Sequence, residues 1–270
     1  MRIQVVVLLL IGASCFLCAQ EPQQQTTPQE PDRRWTKPGP TQDGGTRQVL
    51  ESIVIPPIPN APFAAALDTE WVRFAPDGGT ITFVNQRHIA RDGRGRIYEE
   101  RWALVPKYHP NGDIPSKMTW IQIADPKLHT LYNCSTEMHV CDLLTYDPAK
   151  DLTAARPRTP PPPGAGDRGP TTLEDLGTRN IAGVDTVGIR QTYRIEVGSM
   201  GNDQPMTSMK EEWHSQELGV NLLSIRSDPM SGKQTFTIVE LTASEPDAQL
   251  FELPAGYKVS DQRKNPPISW

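Results

Sequence analysis

Ile189-Arg190-Gln191-Thr192-Tyr193-Arg194-Ile195-Glu196-Val197 is the stretch that decides the fold class. Ile189, Gln191, Tyr193, Ile195 and Val197 share one face, and Arg190, Thr192, Arg194 and Glu196 share the other. A period of two with one apolar face describes an antiparallel strand half-exposed to water. Similar β-branched and aromatic runs stand at Thr80-Ile81-Thr82-Phe83-Val84, Arg96-Ile97-Tyr98, Trp120-Ile121-Gln122-Ile123 and Thr235-Phe236-Thr237-Ile238-Val239. Between them, Pro76-Asp77-Gly78-Gly79 and Asp92-Gly93-Arg94-Gly95 read as hairpin turns, with glycine supplying the positive φ. Asp125-Pro126, Asp147-Pro148 and Asp228-Pro229 mark further turns or strand ends. Helical signals are few: Thr171-Thr172-Leu173-Glu174-Asp175-Leu176 and Pro246-Asp247-Ala248-Gln249-Leu250-Phe251 each suit one turn.

The expected fold is therefore mostly β, with about ten strands over residues 63–260 in a large curved antiparallel sheet or half-barrel meander. A proline-rich loop at about 147–172 interrupts it, where Pro160-Pro161-Pro162-Pro163 runs into Gly164-Ala165-Gly166. Two small domains divided there are the alternative. A single domain is preferred because each half offers too few large apolar residues for its own core.

Outside this domain the sequence changes character. Arg2 followed by the apolar run Ile3 to Ile11, then Phe16-Leu17-Cys18-Ala19 and polar Gln20-Glu21-Pro22, reads as a secretory leader over 1–19 cut after Ala19. The apolar stretch is shorter than the ~20 residues of a membrane anchor. Neither Cys15 nor Cys18 has a leucine-like residue three positions earlier, as lipidation requires. No later segment is apolar enough to span a bilayer, so no transmembrane anchor is expected after leader removal. Residues 20–62 are rich in proline and glutamine and are expected to be disordered. They end in Ile53-Val54-Ile55-Pro56-Pro57-Ile58-Pro59, apolar but proline-spaced, a strap able to lie extended on the core. Residues 261–270 read as a tail.

The net charge is 27 − 32 = −5. An acidic chain without a basic stripe argues against nucleic acid as a partner. Arg87, Arg91, Arg94 and Arg96 stand beside turns, answered by Glu99 and Glu100, and read as solvated strand faces. After leader removal Cys134 and Cys141 remain, an even pair that an exported protein is expected to join as a disulfide across a hairpin. Closing so short a loop contributes about 2.5 kcal/mol in the chain-entropy treatment. A metal site from His129, Cys134, His139 and Cys141 is the alternative, but the spacing matches no standard zinc pattern.

Toward the C-terminus, Trp213-His214-Ser215-Gln216-Glu217-Leu218-Gly219-Val220 leads into a strand, and Pro246-Asp247-Ala248-Gln249-Leu250-Phe251-Glu252-Leu253-Pro254-Ala255-Gly256-Tyr257 closes the domain. Over residues 173–260 this order resembles the outer-membrane lipoprotein-carrier superfamily, whose curved sheet ends in a Phe-x-x-Pro-x-Gly segment. The whole chain is similar to uncharacterised exported bacterial proteins bearing Arg-Asp-x-x-Gly-Arg turns, as at Arg91 to Arg96. The resemblance implies an apolar pocket in the concave face, closed by helices and holding acyl chains. Here the apolar strap and the proline-rich linker occupy the places where such lids would lie.

No Gly-x-Ser-x-Gly elbow, His-Glu-x-x-His or phosphate-binding glycine loop is present. The pairs Glu99/Glu100 and Glu211/Glu212 are neighbours on strands, so their side chains point to opposite faces, and an exposed-strand role is expected for both. Asn133-Cys134-Ser135 matches a glycosylation sequon. The expectation is an exported, non-enzymatic protein without cofactor or metal, binding a lipid-like or protein ligand on a curved sheet. A structural or interaction module of the cell envelope is the alternative, and a hydrolase of unrecognised type the third reading.

Overall fold

The computed structural model describes residues 50, 52–110, 112, 114–155 and 171–264. The leader and most of the Pro/Gln-rich segment lie outside them, as do residues 156–170 of the proline-rich loop. Thirteen strands form one open sheet. They are β1 Phe63–Phe74, β2 Thr80–Arg91, β3 Ile97–Trp102, β4 Val105–Pro106, β5 Met118–Asp125, β6 Thr130–Ser135, β7 Val140–Thr145, β8 Thr171–Ile181, β9 Val184–Ile195, β10 Met206–Ser215, β11 Val220–Asp228, β12 Gly232–Thr242 and β13 Lys258–Asp261. Their order is β13-β7-β6-β5-β3-β2-β1-β12-β11-β10-β9-β8, with β4 paired to β2. Only β13 runs parallel to its neighbour, β7. The sheet is a curved, mostly antiparallel meander broken twice, where β13 returns to β7 and where β1 joins β12, the second drawing strands from both sides of the proline-rich loop together.

Thr171 to Leu176 belongs to a strand and not to a helical turn: it is the start of β8, paired with β9 from Thr171↔Tyr193 onward. The only α-helix among the described residues, α1 Pro148–Ala154, begins at the Asp147-Pro148 step read as a turn. Asp147 caps it by accepting from the Ala149 N–H, and Pro148 occupies the first turn, where its missing N–H costs nothing. Ala248–Phe251 is a 3-10 turn, capped in the same way by Asp247.

Each face of the sheet has its own apolar cluster. On one, Phe63, Leu67, Ile89, Leu222 and Ile238 pack with Ile53 and Ile55 of the strap. On the other, Ala90, Tyr98, Ile121, Ile123 and the two cysteines pack beneath Phe251. Cys134 and Cys141 face each other across β6 and β7 as a disulfide, with the sulfurs 2.06 Å apart. His129 and His139 sit in the turns at opposite ends of β6, so the four residues of the alternative metal site do not converge. Asn133 of the sequon lies inside β6, where its side chain accepts from Gln122 Nε2.

Candidate functional site

The strap is held by an arginine that the sequence reading left in solvent. Arg91 at the end of β2 is fully buried. Its Nε donates to the Ala61 carbonyl at 2.9 Å, Nη1 to Pro56 at 2.8 Å, and Nη2 to both Ala61 and Leu218. The guanidinium also lies 5.1 Å over the Phe63 ring. Burial draws its pKa down to about 10, so it remains charged at neutral pH. The planar fork of five donors suits this task, because one side chain can bind carbonyls from the strap and from the β10–β11 turn together.

The rest of the Arg91 to Arg96 turn is built around that clasp. Asp92 is buried and accepts from the N–H groups of Arg94 and Arg96 and from Arg96 Nε at 2.6 Å. Gly95 adopts φ +83°, and a Cβ there would stand 3.0 Å from the Pro57 carbonyl. Arg96 then lies 4.7 Å over the ring of Phe251 on the opposite cover. Arg87 is buried as well, donating to Glu99 Oε2, to the Glu100 carbonyl and to Ser52 Oγ just before the strap. Arg94 alone of the four remains largely solvated, with a weak ion pair to Asp92.

Between strap, sheet and α1 lies a cavity of about 580 Å³. Leu50, Val54, Ile97, Ala124 and Leu131 line part of it; Glu99, Arg101, Gln122, Asp147, Lys150 and Asp151 line the rest. Arg101 pairs with Glu99 at 2.9 Å, and Tyr146 donates to Asp151 at 2.7 Å. Burial raises the Asp151 pKa, and neighbouring Glu99 and Asp147 raise it further, against the Tyr146 hydrogen bond. Ser52, Ile53 and Val54 also line a second cavity of about 270 Å³, so the strap partitions one trough. Beyond it, on the face of β9 that carries Ile189 and Gln191, a hydrogen-bonded series crosses β10 and β11. His214 Nδ1 meets Asn221 Oδ1, Asn221 donates to Glu212, and Lys210 pairs with Glu212 at 2.9 Å.

Adjacent carboxylates do part to opposite faces, yet neither glutamate pair is simply exposed. Glu99 faces the large cavity, whereas Glu100 faces a groove of about 340 Å³ floored by Ala64, Ala66 and Ala90. Glu211 is buried, accepting from Trp213 Nε1 and from Arg190. Glu100 accepts from the His88 N–H at 3.0 Å, Trp102 Nε1 at 2.7 Å and Tyr98 Oη at 3.0 Å, with His88 Nδ1 3.2 Å away. Burial pushes its pKa up, but these hydrogen bonds outweigh burial and hold it below the ordinary 4.5. A lowered carboxylate contributes stability that is complete above its unfolded value and lost as pH falls through its folded one. Glu100→Gln replaces one acceptor oxygen with a donor facing donors. It is expected to cost about 1–3 kcal/mol at neutral pH and to flatten the decline of stability below pH 4.5, as read by urea unfolding across pH.

No family model and no curated protein matches the chain. Solved structures do show similarity. An uncharacterised conserved protein from Thermus thermophilus aligns over 75% of this chain and 91% of its own at 8% identity, TM-score 0.37. MucB, in the MucA/MucB complex of Pseudomonas aeruginosa, aligns at 12% identity and TM-score 0.35, over 74% of this chain and 58% of its own. A LolA superfamily protein from Nitrosomonas europaea aligns over 73% and 92% at 11% identity, TM-score 0.29. Likenesses this distant carry nothing about ligand or activity. Among the described residues, no helix is long and apolar enough to cross a membrane.

Proposed function

We propose that this protein binds an amphiphilic small molecule, an apolar chain bearing a polar head, in the cavity beneath its proline strap. The two-sided lining of that cavity is the observation that carries the reading. Leu50, Val54, Ile97, Ala124 and Leu131 offer an apolar flank, while Arg101, Gln122, Lys150 and the acidic side chains offer hydrogen bonds and charge. Its volume falls within the roughly 300–1,000 Å³ usual for small-molecule sites. The role is binding without covalent chemistry, in the cell envelope or outside the cell. The Cys134–Cys141 disulfide supports an oxidising compartment.

Titration of the purified protein with a dansylated fatty acid tests this directly. Saturable fluorescence enhancement, displaced by unlabelled fatty acid, is the expected result. Leu131→Trp, which extends a partly buried side chain into the cavity, is expected to weaken binding about tenfold or more while the fold survives. Wild-type protein that shows no saturable, displaceable signal would overturn the proposal, and so would equal affinity in a folded Leu131→Trp variant.

A further inference from the structure

One end of the sheet, where β1 passes to β2, β9 to β10 and β11 to β12, exposes large apolar side chains on neighbouring turns. Phe74 and Ile81 flank the first turn and are 61% and 50% exposed; Met230 tips the β11–β12 turn at 66%. Val197 and Met200 stand exposed in the β9–β10 connection. Strand order places these connections side by side, since β2, β1, β12, β11, β10 and β9 are successive neighbours. The tip is also held rigidly from behind. Trp71 Nε1 donates to the Ser231 carbonyl at 2.6 Å, joining the β1 end to the β11–β12 turn, and the Trp71 ring packs 6.0 Å from Phe83.

We propose that this end of the sheet is a membrane-docking tip that inserts its apolar side chains into a zwitterionic phospholipid surface. Phe74 and Ile81 stand at the ends of β1 and β2 on opposite faces of the hairpin, since Ile81 pairs with Arg73, while Val197, Met200 and Met230 stand in the connections, so the side chains surround the tip and form no single flat patch. That arrangement suits a fluid partner that can close around each of them better than a protein surface of fixed shape. These five are among fourteen large apolar side chains exposed among the described residues, and it is their gathering on neighbouring connections at one end that marks an interaction site. The charges beside them balance: Arg73, Lys107 and Lys233 stand with Glu70, Asp77 and Asp228. Lys107 pairs with Glu70 at 2.7 Å, and Asp77 and Asp228 accept N–H groups of their own turns. A neutral rim gains little from anionic lipid, so attachment depends on apolar burial and is insensitive to salt.

Co-sedimentation of the purified protein with phosphatidylcholine vesicles tests the tip. Wild-type protein is expected to sediment with vesicles equally at low and high salt. Phe74→Ser and Met230→Ser are each expected to lower partitioning about tenfold, the effect of leaving one large side chain out of an apolar phase. Both positions are exposed, so circular dichroism should show an unchanged fold. Leu131→Trp should bind vesicles as wild type does, which separates this proposal from the cavity reading. Wild-type protein that stays in the supernatant would overturn the docking tip, as would folded variants that sediment like wild type. Concentration-dependent self-association abolished by the same substitutions, without vesicle binding, would instead assign the tip to a second copy of the chain.

Discussion

Arg91→Ala is expected to cost about 3–5 kcal/mol and to release the strap. The substitution removes four hydrogen bonds at once, and the carbonyls of Ala61 and Leu218 lose a charged donor inside the fold. Pro56 keeps the N–H of Ile58 as a donor, so the damage concentrates at the two other carbonyls. Arg91→Lys keeps the charge but presents one compact ammonium where a planar fork is needed, and it is expected to recover less than half of the loss. Urea unfolding gives the magnitude. Hydrogen exchange localises it: in Arg91→Ala the amides of Ile58 and Asn60, bonded to Pro56 and Gly93, should exchange far faster than those of β5 and β6. Uniform loss of protection across the sheet would show that Arg91 supports the whole fold and not the strap in particular.

Gly232→Ala is the second large effect. Gly232 opens β12 at φ +82°, and a Cβ there would stand 2.2 Å from the Val72 carbonyl oxygen and 3.1 Å from Arg73 Cα. Both obstacles are backbone, so no rotamer change relieves them. The left-handed conformation alone costs a residue with a side chain about 1–2 kcal/mol. Parting β1 from β12 adds to this, for a total of about 3 kcal/mol or more. Gly78→Ala separates the two contributions, because Gly78 has φ +85° with nothing within 4 Å of its Cβ position. Thermal unfolding of both variants should show a small shift for Gly78→Ala and a several-fold larger one for Gly232→Ala.

The fold class was readable from alternation and turn chemistry, because period-two patterning and glycine-bearing turns are local signals. The strap was readable too: Ile53 to Pro59 combines apolar residues with prolines that bar it from the interior of a sheet. What escaped depended on distant partners. Arg91 looks like any charged residue beside a turn, and its burial rests on Leu218, 127 residues later in the chain. The polar half of the large cavity was hidden for the same reason, since Arg101 and Lys150 come to line one cavity only in the folded chain. Thr171 to Leu176 carries a helix-start signal that pairing with β9 overrides. The start of α1 was the opposite case. Asp147 before Pro148 is a local capping signal, present in the sequence and taken for a turn.

The six residues from Arg91 to Arg96 grip the strap with one arginine and the ring of Phe251 with another. The two covers, on opposite faces of the sheet, therefore share one anchor, and a substitution that unseats this turn should expose both the strap and the Phe251 cover to faster hydrogen exchange.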